Sequence, residues 1–429
     1  METNGKILNV SRRDFLKVTA ASMAALSISP AGLYAAGDDE IKVALIGCGG
    51  RGTGALQQFI EAGTKMLNLK VKVVALTDPQ KDRLEKTAKE HYVPTEMCFS
   101  TFDGYKKVVA SDAQYVILGT SPNFRPVHLE AAIDAGKNVF MEKPVCVDPQ
   151  GCRRVIAAGE KAKEKKLVIV AGTQRRHQKD YRETAAKITQ GAIGPIRSAR
   201  VWWCGGALWK TERKPGESDA MYMVRNWVSF AEMSGDHIVE QHVHNLDVAN
   251  WFIGRTPIQA LGFGGRARRK TGDQFDFFSI DYDYGDDLAI HSMCRQINNT
   301  AGPVAEFFVG ANGSTWGDGN KMKAIPGKTF DIPKFPDGDP YVIEHFDLIT
   351  SVREGKPLNE AKTVAESTLT AIMGRISAYT GQTVRWTDLT TNKDSQFYNL
   401  RLSPSAEDFE KGDVKAPTDE VAPIPGKDA

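Results

Sequence analysis

Short apolar runs separated by stretches of helical periodicity fill the first half of the chain. Ile41 to Ile46 is nearly all apolar, as expected of a strand buried on both faces. Lys72 to Thr77, Tyr115 to Gly119, Asn138 to Met141 and Leu167 to Ala171 repeat the pattern. Helical stretches open at Ala55, run through Leu129 to Gly136, and extend from about Gln150 to Lys165. Strands alternating with helices predict a parallel, doubly wound sheet. The character changes after Gly172. Ile196 to Trp203, Ile258 to Ala267, Phe275 to Tyr284, Leu288 to Gln296 and Glu306 to Gly310 read as strands, and few helices separate them. That predicts a mainly antiparallel sheet. Helices are expected at about Asp236 to Phe252, Tyr341 to Glu354 and Val364 to Tyr379. The fold class expected is therefore α/β: an N-terminal Rossmann doubly wound parallel sheet plus a C-terminal α+β domain with a large, mainly antiparallel open sheet. The expected divisions are 1–36 as an N-terminal segment, 40–171 as the parallel-sheet domain, 172–390 as the domain of the second sheet, and 391–429 as a tail. The tail, rich in Pro, Asp, Glu and Lys, is expected to wrap the surface or lie loose.

The N-terminus sets the compartment. Ser11-Arg12-Arg13-Asp14-Phe15-Leu16-Lys17 precedes a mildly apolar run from Val18 to about Ala36. The run is too rich in Ala, Ser and Thr for a membrane span, and the pattern resembles a twin-arginine export signal. A periplasmic or otherwise exported protein, with no membrane span once mature, is expected. That route carries proteins that have already folded, with any cofactor held inside. Fifty-five basic against 53 acidic residues give a net charge of +2, which offers nothing to nucleic acid or an anionic membrane. The six cysteines are scattered with no CxxC pair, which speaks against a zinc site, and their spacing demands no disulfide.

The strongest motif is Gly47-Cys48-Gly49-Gly50-Arg51-Gly52, a GxGxxG that follows a strand and opens a helix. Gly47 permits the tight turn, Gly49 lets the backbone approach a pyrophosphate, and Gly52 lets helix and strand pack closely. The helix N-terminus offers free N–H groups and the positive end of a dipole to the phosphates. Asp78 ends the second strand, where a carboxylate binds the adenosine ribose hydroxyls and repels a 2′-phosphate. NAD is therefore favoured. Lys81 and Arg83 just beyond suit a 2′-phosphate, which leaves NADP open. Thr120, Glu142 and Lys143 also stand at carboxyl ends of strands, where doubly wound sheets bind ligands.

Four pieces together resemble the Gfo/Idh/MocA family of sugar and inositol oxidoreductases, over Ile41 to about Trp386. They are the Rossmann glycines; Glu142-Lys143-Pro144, similar to the family's EKP motif; Glu240 to Asp247 (EQHVHNLD), similar to its D-x-G-x-H-x-x-D; and the stretch Gly374 to Gly381. Glu240 replaces the usual Asp and His242 the usual Gly. The resemblance implies that Lys143 is catalytic and that the second sheet builds a homodimer or homotetramer.

Hydride transfer from a secondary alcohol needs a group to take the hydroxyl proton and one to stabilise the developing alkoxide. Lys143 suits the second role. His244 suits the first, because its imidazole exchanges a proton near neutral pH. Glu240 lies four residues earlier, hence on the same helical face, and would orient His244 or touch substrate hydroxyls. The spacing of His237, His242 and His244 argues against a metal triad, and no metal is expected. Trp203, Arg225, Trp227, Arg176, His177 and Asp247 are the expected substrate residues, with aromatic rings stacking on sugar C–H faces. The first reading is thus NAD(P)-dependent oxidation or reduction of a sugar, glycoside or polyol. The second is redox-neutral glycoside cleavage through a keto-sugar. The third is a non-catalytic dinucleotide-binding protein.

Overall fold

A computed structural model describes residues 40–418, 421 and 424; the export segment lies outside them. The first sheet is built from β1 (Glu40–Ile46), β2 (Lys70–Thr77), β3 (Cys98–Phe99), β4 (Tyr115–Leu118), β5 (Asn138–Met141) and β6 (Ile169–Ala171), in the order β3-β2-β1-β4-β5-β6. Every pairing in it is parallel. The connecting helices include α1 (Gly50–Glu61), α2 (Lys81–Glu90), α3 (Arg125–Asp134) and α4 (Pro149–Glu164). Helix α1 buries Gly52, Ala55, Leu56 and Phe59, spaced by three and four residues, which gives it one apolar stripe. Alternation along β1 sends Val43 and Leu45 to one side of the sheet and Ala44 and Ile46 to the other. The strand order reverses between β1 and β4, so their carboxyl ends leave a crevice there.

After α5 (Lys179–Thr189) comes the second sheet. Its first strand, β7 (Ile196–Gly205), is followed by α6 (Asp219–Arg225), α7 (His237–Glu240) and α8 (Val243–Ile253). Then come β8 (Gln259–Gly265), β9 (Phe277–Asp283), β10 (Ala289–Gln296), β11 (Val304–Gly310) and β12 (Gly313–Trp316), with β13 (Val384–Arg385) late in the chain. The order is β12-β11-β7-β10-β9-β8-β13. All pairs are antiparallel except β7–β10, which is parallel. One face buries Val201, Phe278, Ile280, Tyr282, Ile290 and Phe308. The other presents Leu261, Phe263, Phe277 and Val309, with Phe263 74% exposed.

Helix α9 (Pro340–Arg353) places Val342, Leu348 and Ile349 in the core of the first sheet. Helix α10 (Ala361–Thr380) lies between α4 and β8, joining the two sheets. The described part of the tail packs against the body. Helix α11 (Ala406–Lys411) buries Phe409 against Phe102 and Phe124, Glu410 accepts from Tyr105 at 2.8 Å, and Leu402 N donates to Asp148 at 3.0 Å.

The expected single helix from Asp236 to Phe252 is two. Asp236, at φ 75°, caps His237 and starts α7. The main chain of His242 still bonds to His237, while its ring turns under the sheet to Ser292 Oγ at 2.7 Å. The Gly374 to Gly381 stretch braces this region. A Cβ on Gly374 would stand 2.1 Å from Tyr282 Oη. Arg375 donates to Gly235 O at 3.0 Å, and Tyr379 Oη to Asp236 at 2.5 Å.

Candidate active site

Three glycines bring main chains into contact at the crevice. Gly47 turns at φ 98°, and a Cβ there would stand 2.8 Å from Gly119 C and Thr120 N. A Cβ on Gly52 would stand 1.9 Å from Gly47 O, and one on Gly119 2.5 Å from Gly52 Cα. Gly49 caps α1 with no side-chain hydrogen bond, and no acidic residue stands in the first turn. Nothing lies within 4 Å of where a Cβ on Gly50 would be. The first-turn N–H groups therefore face open space without an intramolecular acceptor, an arrangement fitted to a pyrophosphate.

A small pocket of about 90 Å³ opens on one side of this turn, lined by Asp78, Arg83, Phe102, Phe124 and Trp227 among others. Asp78 is buried and accepts from Cys48 N at 2.8 Å and Gln80 N at 2.7 Å, and burial pushes its carboxyl up. It suits an adenosine ribose, with Arg83 alongside Gly49. On the other side lies a cleft of about 600 Å³. It is lined by Gly49, Gly50, Arg51, Thr120, Glu142, Lys143, Trp203, Arg225, Trp227, Glu240 and His244, so most of the residues singled out in the sequence converge there.

The polar floor of the cleft is tightly paired. Glu142 accepts from Arg51 Nε at 2.5 Å and from Lys143 N at 3.2 Å. Gly172 leaves room for it, since a Cβ there would meet Glu142 Oε2 at 2.6 Å. Arg51, expected among the cofactor residues from its place in the glycine motif, thus holds Glu142 and lies over the Tyr341 ring at 5.0 Å. Lys143 Nζ donates to Glu240 O at 2.7 Å and lies 3.6 Å from Glu240 Oε1. Burial pushes the Glu240 carboxyl up against the pull of Lys143. The His244 ring stacks on Trp203 at 5.4 Å, and its Nδ1 is buried without a hydrogen-bond partner. Burial, with Lys143 and Arg175 nearby, holds this imidazole well below its ordinary value of 6.5. Near neutral pH it is an uncharged acceptor beside a lysine.

Three expected substrate residues stand elsewhere. Arg176 and Asp247 pair with each other at 2.8 and 2.9 Å, and Asp247 also accepts from Ser367 at 2.7 Å. His177 is buried between Asp347 at 2.6 Å and Glu360 at 3.4 Å, which raise its imidazole against the cost of burial. None of the three lines the cleft, because partners distant in sequence claim them first. Conversely, Arg125 was not singled out. It is buried in the cleft wall, donates to Pro144 O and to Thr120 O at 2.6 Å, and is pushed down to about 10 by burial. Gln241, Trp209, Leu208 and Tyr341 also line the cleft. Gln241 lies inside the EQHVHNLD run and Trp209 among the aromatics between β7 and α7, whereas Leu208 and Tyr341 carried no signal in the sequence. Among the described residues, no group of three or more His, Cys, Asp and Glu is placed to hold a metal ion.

A parallel doubly wound sheet, a glycine turn with free N–H groups and a cleft at its switch point define a dinucleotide-binding protein of the Rossmann class. Residues 41–171 match the sequence model of the Gfo/Idh/MocA oxidoreductases, described as an oxidoreductase family with an NAD-binding Rossmann fold. Over these residues the chain is similar to that family, and the fold it builds there is an NAD-binding Rossmann domain. It is similar to an uncharacterized oxidoreductase of Streptococcus pneumoniae serotype 4, 28% identical over 42% of this chain and 45% of the relative. It is also similar to an inositol 2-dehydrogenase of Pseudomonas savastanoi pv. phaseolicola, 35% identical over 33% of this chain and 41% of the relative. The chain spans about half the length of the curated relatives it matches. In fold it resembles the aldose–aldose oxidoreductase of Caulobacter crescentus solved with glycerol, with a TM-score of 0.62 and 16% identity over 81% of this chain and 99% of that one.

Proposed function

We propose that the protein transfers a hydride between a tightly held NAD and a hydroxyl or ketone of a sugar, glycoside or polyol, with Lys143 and His244 as the catalytic pair. The observation that carries this reading is their shared cleft: Lys143 and His244 both line the space beside the glycine turn. The cofactor supplies the hydride acceptor or donor when bound. Gly47, Gly49, Gly50 and Gly52 would hold its pyrophosphate and Asp78 its ribose. Lys143 donates a hydrogen bond to the substrate oxygen and stabilises negative charge developing there. His244 takes the hydroxyl proton on its imidazole, whose neutral state is secured by burial. Glu240 keeps the lysine ammonium pointed into the cleft. Trp203, Trp209, Trp227 and Arg225 wall the outer side, and Arg225 is itself held by Glu217 at 2.8 Å. Aromatic walls suit the C–H faces of a sugar ring.

An exported enzyme would meet little free nicotinamide, so retention of the cofactor belongs to the proposal, as does export by the twin-arginine signal. So does self-association through the outer face of the second sheet, where Leu261, Phe263 and Phe277 lie close together. The test is to purify the exported chain, identify any retained dinucleotide, and follow its nicotinamide absorbance while inositols, aldoses and glycosides are added. A substrate-dependent change that is absent in Lys143→Met supports the reading. A protein that retains and binds neither dinucleotide refutes it. Aglycone release without net nicotinamide change would move the assignment to redox-neutral glycoside cleavage.

A further inference from the structure

Cys146 and Cys152 meet immediately after the Glu142-Lys143-Pro144 motif. Asp148 caps α4 by accepting from Gly151 N at 2.7 Å, which folds the Cys146–Asp148 segment back over the first turn of the helix. Gly151 makes this approach possible: a Cβ there would stand 2.9 Å from Cys146 Cβ. Cys152 then lies beneath Cys146, with the two Sγ atoms 2.9 Å apart, inside the contact distance of non-bonded sulfurs. Both side chains are fully buried. The sulfurs of Cys48 and Cys98 instead rest against main-chain oxygens, of Thr77 and Pro94.

We propose that Cys146 and Cys152 are a covalent modification site: they form an internal disulfide that staples the loop carrying Lys143 to the start of α4. The oxidant is a small disulfide such as glutathione disulfide. One cysteine sulfur, as thiolate, attacks it and releases one glutathione thiol. The second cysteine thiolate then displaces the other glutathione, closing the protein S–S bond. Two protein thiols lose two protons and two electrons, and the oxidant disulfide becomes two thiols. Burial pushes the Cys146 thiol up, so the closed fold reacts slowly and the exchange proceeds through local opening near Pro149. An exported protein sits where such bonds persist. The inference does not depend on the substrate reading.

The experiment uses the full chain, incubated with excess glutathione disulfide a few degrees below its thermal midpoint, quenched with acid, and alkylated in denaturant. Trypsin places both cysteines in one peptide, 138–153, because Lys143 is followed by proline. The expected result is that peptide lighter by two hydrogens and free of alkyl groups. The oxidised protein should also melt a few degrees above the reduced one, and that gap should vanish in Cys152→Ala. Two alkylated cysteines after incubation would overturn the proposal. So would a glutathione adduct on either cysteine without the internal bond, which shows a thiol that was reached and did not pair. A linked peptide with no rise in melting temperature would overturn the staple.

Discussion

Gly52→Ala puts a methyl group where the main chain of another segment already stands. The added Cβ would lie 1.9 Å from Gly47 O and 3.5 Å from Gly119 Cα. No rotamer can move a Cβ, and Gly47 O belongs to the turn that the dinucleotide must grip. Overpacking a core costs about 1–3 kcal/mol when side chains can yield. Here the obstacle is backbone, so a net loss of about 3 kcal/mol is expected, even after the roughly 1 kcal/mol that alanine gains over glycine in a helix. At about 2.1 cal/mol/K per residue, the compact unit Asp39–Ala429 has an unfolding entropy near 0.8 kcal/mol/K, so the melting temperature should fall by about 4 °C. The contrast lies two and three residues away. A Cβ on Gly50 meets nothing within 4 Å, and one on Gly49 meets only Arg83 Nη1 at 3.5 Å. Both alanine variants should melt within about 0.5 kcal/mol of the parent. Gly49→Ala should nonetheless weaken NAD at least tenfold, about 1.4 kcal/mol, because its methyl stands where the pyrophosphate approaches. Calorimetric melting and fluorescence titration with NAD read the two effects separately. If Gly52→Ala melts like Gly50→Ala, the close approach inferred from the glycine contacts is wrong.

Lys143→Met should lower kcat by roughly 10²–10⁴ while leaving NAD affinity within a few-fold, measured by steady-state kinetics and titration on the same preparation; an equal loss of NAD binding would make the lysine a cofactor residue instead. His244 should govern the acid limb of kcat/KM. Its folded value lies below 6.5, so the base stays available as pH falls through 6.5, and activity should drop only further into acid. An inflection at or above 6.5 that disappears in His244→Gln would contradict the burial argument. Phe409→Ala should cost about 3–5 kcal/mol by denaturant unfolding, because the ring is 2% exposed between Phe102 and Phe124; a loss under 1 kcal/mol would mean that the tail is not part of the core.

Local pattern alone determined most of the architecture. Buried parallel strands declare themselves as apolar runs, and the glycine turn is specified by residues that nothing else can replace at φ 98° or at 1.9 Å from a carbonyl. The placement of Lys143 just past the end of β5 was legible for the same reason: strand ends are local facts. The helical spacing expected to set Glu240 against His244 was not kept, because the helix breaks between them and Glu240 pairs with Lys143 and Gln241 instead. What tertiary structure decided is which polar groups were left free. Arg176, His177 and Asp247 carry the right chemistry, but they are consumed by each other and by Ser367, Asp347 and Glu360, partners up to 183 positions away in the sequence. Arg125 reads as an ordinary helix residue until the fold aims it at Thr120 O and Pro144 O. The His242 ring at the break between α7 and α8 likewise finds its partner in Ser292, on a strand fifty residues later. Periodicity reports what a segment buries, whereas the partner of a buried charge is chosen only when distant segments meet, because desolvation makes the nearest available partner obligatory.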